Sequence, residues 1–133
     1  MISAAIRDAV RRRANDGCEY CRLPQSAEPD ARFHIEHIVA RQHGGGDDAE
    51  NPALACHRGN RHKGPNLSAI DPAIDPGSGR TTLLFHPRRD AWDAHFRIEH
   101  FNVAGLTATG RATVSLMQMN APVRVELRRW IAR

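Results

Sequence analysis

Five of the chain's eight histidines, His34, His37, His43, His57 and His62, fall in one window that also holds Glu36, Asn51, Cys56 and Asn60. Imidazole changes protonation near neutral pH and can take a proton from water. Carboxylate and amide oxygens suit a hard divalent cation that keeps positions open for water and an anionic substrate. Crowded together, these types point to metal-assisted hydrolysis. Singly they carry little, because one strand histidine is commonly structural and asparagine beside proline or glycine commonly forms a turn.

A second group is the cysteines. The count of three is odd, and two of them stand as Cys18-Glu19-Tyr20-Cys21. In a reducing compartment that spacing points to a metal rather than a disulfide. No apolar run is long enough to span a bilayer and no signal-peptide core follows Met1, so the chain is expected to be cytoplasmic and off the membrane.

These residues need elements to position them. A length of 133 residues fits one domain, 1–133. From Ser3 to Asn15 the spacing of Ile2, Ile6, Ala9, Val10 and Ala14 predicts an amphipathic helix with Ser3 as cap, Gly17 as stop and Arg7, Arg11, Arg12 and Arg13 mostly on the other side. Arg22 to Asp30 reads as a loop. Phe33 to Val39 alternates like a strand, Gly44 to Asp48 is a turn or loop, Asn51 to Ala55 brings the chain back extended, and Cys56 to Lys63 suits a short helix ended by Gly64-Pro65. Adjacent strand residues face opposite sides, so Glu36 and His37 share a site only if the strand twists, bulges or ends there.

After a loop over Asp71 to Gly79, strands are expected over Thr81 to His86 and Phe96 to Val103. A helix then runs from Thr107 or Thr109 to Met119, and another from Asn120-Pro122 has Val123, Leu127, Trp130 and Ile131 as a core stripe. The fold class expected is α+β.

The net charge is +4, and Lys63 is the only lysine. Arginine's planar fork matches phosphate oxygens in pairs, which favours a nucleic-acid partner over a charge that serves only solubility. No acidic residue occurs between Asn51 and Ile70, where Arg58, Arg61 and Lys63 accompany His57 and His62. These three cations, with Arg41, are candidate phosphate contacts; the alternative is a short surface helix that is simply charged. The arginines of the first helix either meet phosphate or form a solvated outer face.

The ordered set Cys18-x-x-Cys21, Phe33-His34-Ile35-Glu36-His37-Ile38, Gly44-Gly45-Gly46-Asp47, Asn51 with Leu54-Ala55-Cys56, and Asn60-x-x-Lys63-Gly64 resembles the HNH endonucleases of the ββα-metal fold. The resemblance implies a nuclease core over residues 18–64, preceded by a helix and followed by a strand-plus-helix extension over 80–133. It implies that His37 is the general base and that Asn51 stabilises the loop and orients that base. Glu36 and Asn60 would ligate the catalytic divalent ion, Mg²⁺ or alternatively Mn²⁺ or Ni²⁺. His34 and His43 are auxiliary candidates for metal, substrate or structure. DNA is the implied partner.

The chain departs from this family where a second cysteine pair is normal, since the start of the site helix reads Cys56-His57-Arg58-Gly59. The pattern resembles a zinc-knuckle subtype with one cysteine missing. Three thiolates remain for a structural zinc, with His62, His57, water or nothing as fourth ligand. Pro52 replaces the aliphatic residue usual after the asparagine. Three functions compete: a divalent-metal-dependent endonuclease, a non-catalytic nucleic-acid-binding module on the same scaffold, and a zinc-stabilised protein-interaction domain.

Overall fold

In this computed structural model the chain forms two compact units, Met1–Pro65 and Asn66–Arg133. The structure describes residues 1–74 and 76–133, without the side chain of Pro76. Asp75, inside the loop expected over Asp71 to Gly79, lies outside the described residues. The first unit ends one residue past the expected nuclease core.

In the first unit, α1 (Ala4–Arg13) is capped by Ser3, whose Oγ accepts from the Ile6 amide at 3.2 Å. The helix stops sooner than a Gly17 stop requires. Asn15 and Asp16 take φ of 53° and 52°, a left-handed conformation that short polar side chains tolerate. Val10 is fully buried. The arginine side is only partly free: Arg11 Nη2 donates to the Phe33 carbonyl at 3.0 Å, and Arg13 donates to the Ala49 and Pro52 carbonyls, each at 2.8 Å. Two of the four arginines therefore brace the hairpin that follows.

That hairpin is β1 (His34–His37) and β2 (Pro52–Ala55), antiparallel in the register His34↔Ala55 to His37↔Pro52. β2 is buried throughout. The chain then turns into α2 (His57–Lys63), capped by Cys56, whose Sγ accepts from the Gly59 amide at 3.3 Å, and broken at Gly64 with φ of 52°. Strand, loop, strand and helix thus follow in the expected order.

The second unit departs more. The expected strand Thr81 to His86 shrinks to β4 (Thr82–Leu83), which pairs with β3 (Ser68–Ala69), a strand too short to show a period. A one-turn helix, α3 (Trp92–His95), precedes the segment read as a single strand Phe96 to Val103. That segment is a hairpin of β5 (Phe96–Glu99) and β6 (Asn102–Gly105). The correction lies at His100 and Phe101, whose φ of 48° and 67° make a two-residue turn without glycine. α4 (Ala108–Leu116) is capped by Thr107 and sits so close to the end of α3 that a Cβ on Gly110 would lie 2.1 Å from the His95 carbonyl oxygen.

α5 (Pro122–Ile131) forms as expected, but its stripe is not core. Val123 and Trp130 are 54% and 67% exposed, whereas Arg124 and Arg128 are buried. Hydrogen bonds make the burial of Arg128 tolerable, since it donates to the Met119 carbonyl at 2.8 Å and the Phe101 carbonyl at 3.1 Å. Helical spacing identifies an apolar stripe without showing what covers it. The actual core gathers Phe85, Trp92, Phe96, Val103, Met117 and Met119, with Phe85 and Phe96 meeting edge to face. Among the described residues no helix is long and apolar enough to cross a membrane.

Candidate functional site

β1 ends at His37, and its last two residues reach one cleft of about 580 Å³ lined also by Arg41, Asn60 and Gly64. Their polar atoms nevertheless find separate partners. His37 Nε2 lies 2.7 Å from Asp47 Oδ1, whereas Glu36 is buried against Tyr20 and Lys63. The strand neither bulges nor slips, as the unbroken pairing with β2 requires. Two sides of one strand end therefore meet the same cleft.

Asp47, a turn residue by sequence, is the hub on the histidine side. It also accepts from Arg41 Nη2 at 3.0 and 3.1 Å and from the Met1 amino group at 2.6 Å. The Met1 amine, then His37 and Arg41, hold its carboxyl well below the usual carboxylate range. An ionised Asp47 can only accept, so Nε2 of a neutral His37 carries the proton and Nδ1 carries the lone pair. Arg41, expected at phosphate, is partly engaged by this carboxylate.

The loop that carries Asp47 is held by Asn51. Its Nδ2 donates to the Val39 and Gly46 carbonyls at 2.9 and 2.8 Å, and its Oδ1 accepts from the Val39 amide at 3.0 Å. Gly45 is needed beside it, since a Cβ there would fall 1.7 Å from the Val39 oxygen. Asn51 thus fastens both ends of the loop between His37 and β2.

On the other side, Glu36 is 6% exposed. Oε1 accepts from the Tyr20 hydroxyl, and Oε2 from Lys63 Nζ at 3.2 Å. Burial pushes the Glu36 carboxyl up, opposed by Lys63 and Tyr20. Lys63 was expected at phosphate, and that expectation is corrected: it is 2% exposed and also donates to the Ile38 carbonyl at 3.0 Å. The lysine closing α2 and the Tyr20 hydroxyl together compensate the buried carboxyl. Neither Tyr20 nor this role of Lys63 was legible, because the pairs span 16 and 27 positions.

The oxygen donors fit a hard divalent ion in part. Glu36 and Asn60 line the same cleft, and a carboxylate has about four lone-pair sites, of which two are engaged here. Lys63 stands at that carboxylate already, so a divalent ion must share it with an ammonium. Arg61 is exposed, while Arg58 is half-buried and its Nη1 has no hydrogen-bond partner among the described residues. His43 is exposed.

The sulfurs converge. Cys18, Cys21 and Cys56 are buried with their Sγ atoms all within 4.8 Å of one another, and Cys21 to Cys56 is 3.8 Å. A tetrahedral zinc with Zn–S of ~2.3 Å places its sulfurs ~3.8 Å apart. Burial, then the neighbouring Cys21 and Cys56, push the Cys18 thiol well up, so a thiolate form of the cluster calls for a cation. The donor set fits zinc on three sides. Among the described residues no histidine nitrogen lies within 4.8 Å of all three sulfurs: His57 Nδ1 is 2.9 Å from His34 Nε2, and His62 Nε2 is buried with no hydrogen-bond partner. His34 is thereby assigned a neighbour, and burial followed by His57 lowers its pKa.

Residues 18–66 match the family model described as HNH endonuclease. The cysteine cluster is compatible with a zinc-binding subtype of that family. No curated protein and no solved structure matches the chain.

Proposed function

We propose that the chain is a divalent-metal-dependent endonuclease that hydrolyses DNA phosphodiester bonds, with His37 as the general base. The match over residues 18–66 speaks for nuclease or nucleic-acid chemistry. The observation that carries the finer reading is the His37–Asp47 contact at 2.7 Å on the edge of an open cleft. A base needs a fixed tautomer and access to water, and that contact with the loop braced by Asn51 provides the first. Glu36 and Asn60 would hold a Mg²⁺, Mn²⁺ or Ni²⁺ ion, which supplies charge stabilisation at the scissile phosphate. Cys18, Cys21 and Cys56 would hold a structural zinc.

The test is plasmid DNA incubated with the protein and each ion, with chelator as control. Cleavage should appear with the metal and fall by ~10²–10⁴-fold in His37→Ala, the usual contribution of a general base. DNA binding should survive that substitution, and cleavage at the wild-type rate by His37→Ala would falsify the assignment. One observation favours a second reading, a non-catalytic nucleic-acid-binding module: Lys63 occupies Glu36 in a buried ion pair. On that reading no ion elicits cleavage while duplex binding persists.

A further inference from the structure

On the α1 side of the first unit, Arg11 and Arg32 line a cleft of about 550 Å³ together with Asp16, Gln25 and Ser26. The cleft is distinct in its lining from the one at His37. Its floor is built: Gln25 donates to the Glu28 and Ala31 carbonyls at 3.0 and 3.1 Å and accepts from the Phe33 amide at 2.7 Å. Arg11 gives one nitrogen to the Phe33 carbonyl and keeps the rest of its five-donor fork. Arg32, one residue earlier on the chain than Phe33, is exposed.

We infer that this cleft is a second phosphate subsite, which grips the DNA backbone through Arg11 and Arg32 while another phosphate lies at His37. The inference rests on the nucleic-acid reading above. Two guanidiniums share one concavity with one carboxylate, Asp16, so the lining carries a net positive charge that an anion relieves. The same crowding is felt by Arg11, which burial and then Arg32 hold below its ordinary value while Asp16 pulls the other way. Forked donors on a fixed floor match phosphate oxygens two at a time. Contacts to phosphate position a duplex without reading its sequence, so this subsite contributes affinity and register rather than sequence preference.

The experiment measures binding of a fluorescein-labelled mixed-sequence duplex by anisotropy across a salt series, without added divalent ion. Arg32→Gln removes an exposed cation whose side chain makes no hydrogen bond among the described residues. It should take about 0.9 from the slope of log affinity against log salt, so that a fourfold rise in salt costs about 3.5-fold less affinity than in wild type. Asp16→Asn should tighten binding, an outcome that a destabilised variant does not imitate. Asparagine tolerates the left-handed conformation at that position. Arg97→Gln, on the β5–β6 hairpin, makes the same change in net charge elsewhere and should leave the slope unaltered. If Arg97→Gln weakens binding as much as Arg32→Gln, or Asp16→Asn does not tighten it, the cleft is not a subsite. If wild type binds no duplex at all, the nucleic-acid reading itself fails and the subsite with it.

Discussion

The carboxylate of Asp47 makes a specific claim about His37, because the nitrogen it engages is Nε2 and not Nδ1. An asparagine in place of Asp47 can present either an oxygen or an NH₂ to that nitrogen, and the second choice reverses the tautomer. Asp47→Asn is therefore expected to lower kcat for plasmid relaxation by at least ~10-fold, with ~10⁴-fold as the upper bound known where a carboxylate fixes a catalytic imidazole. Affinity for the duplex should not fall, since the substitution removes a negative charge and releases Arg41 beside the cleft. Wild-type kcat in this variant would sink the dyad. What was legible here follows from chain distance. His37, Glu36, Asn51 and Asn60 stand at motif spacings, and three of them line one cleft with Asn51 fastening the loop beside it. Asp47 lies inside a glycine-rich turn whose conformation sets its aim, and nothing in sequence shows where a turn points. The same limit hid Lys63, whose charge suggested surface and phosphate until a buried carboxylate claimed it.

At the scale of elements, α2 carries the consequence. Its cap is a cysteine sulfur, so the start of the helix and the sulfur cluster are one object. Gly59, one turn on and buried, stands in sequence where the family resemblance puts a fourth thiolate. Gly59→Cys should therefore raise zinc content and melting temperature together, because structural zinc contributes its binding energy to folding. Replacing glycine inside a helix alone gives up to ~1 kcal/mol, so Gly59→Ala is the control. Zinc content by atomic spectroscopy and melting before and after chelation would decide it: a cysteine variant that binds no more zinc than the alanine variant means position 59 does not face the sulfurs. Elements of the first unit were readable because each has a marker, Ser3 at α1, Gly64 after α2, alternation in β1. In the second unit the markers mislead. The β5–β6 turn uses His100 and Phe101 instead of glycine or asparagine, so one alternating run concealed two strands. α5 shows the right period with the opposite burial, since hydrogen bonds to Met119 and Phe101 carry Arg128 inside.

At the scale of the molecule, each unit has its own interior, and the second also has its own spectroscopic reporter. Both tryptophans, Trp92 and Trp130, belong to the second unit, and Trp92 is packed on Phe96 while Trp130 is exposed. That unit also holds a pair absent from any motif. Asp71 is 1% exposed and takes a two-pronged bond from Arg111, Nε to Oδ1 at 2.9 Å and Nη2 to Oδ2 at 2.8 Å. Arg111, then the Ala73 amide, hold the Asp71 carboxyl below its ordinary value. A carboxyl depressed in the folded state binds its proton more readily when unfolded. It therefore contributes stability that is present above the unfolded value of ~3.9 and is lost as pH falls towards the depressed one. Acid titration followed by tryptophan emission should show Trp92 leaving its apolar surroundings in that window. Asp71→Asn keeps the shape but cannot titrate, so it should be less stable than wild type at neutral pH, with the difference shrinking as pH falls below ~4. Equal acid sensitivity in the two proteins would mean that the Asp71–Arg111 pair does not govern this unit. Zinc loading, by contrast, acts through Cys18, Cys21 and Cys56 in the first unit. A chelator that moved the tryptophan signal as strongly as acid would show that folding of the second unit depends on the first.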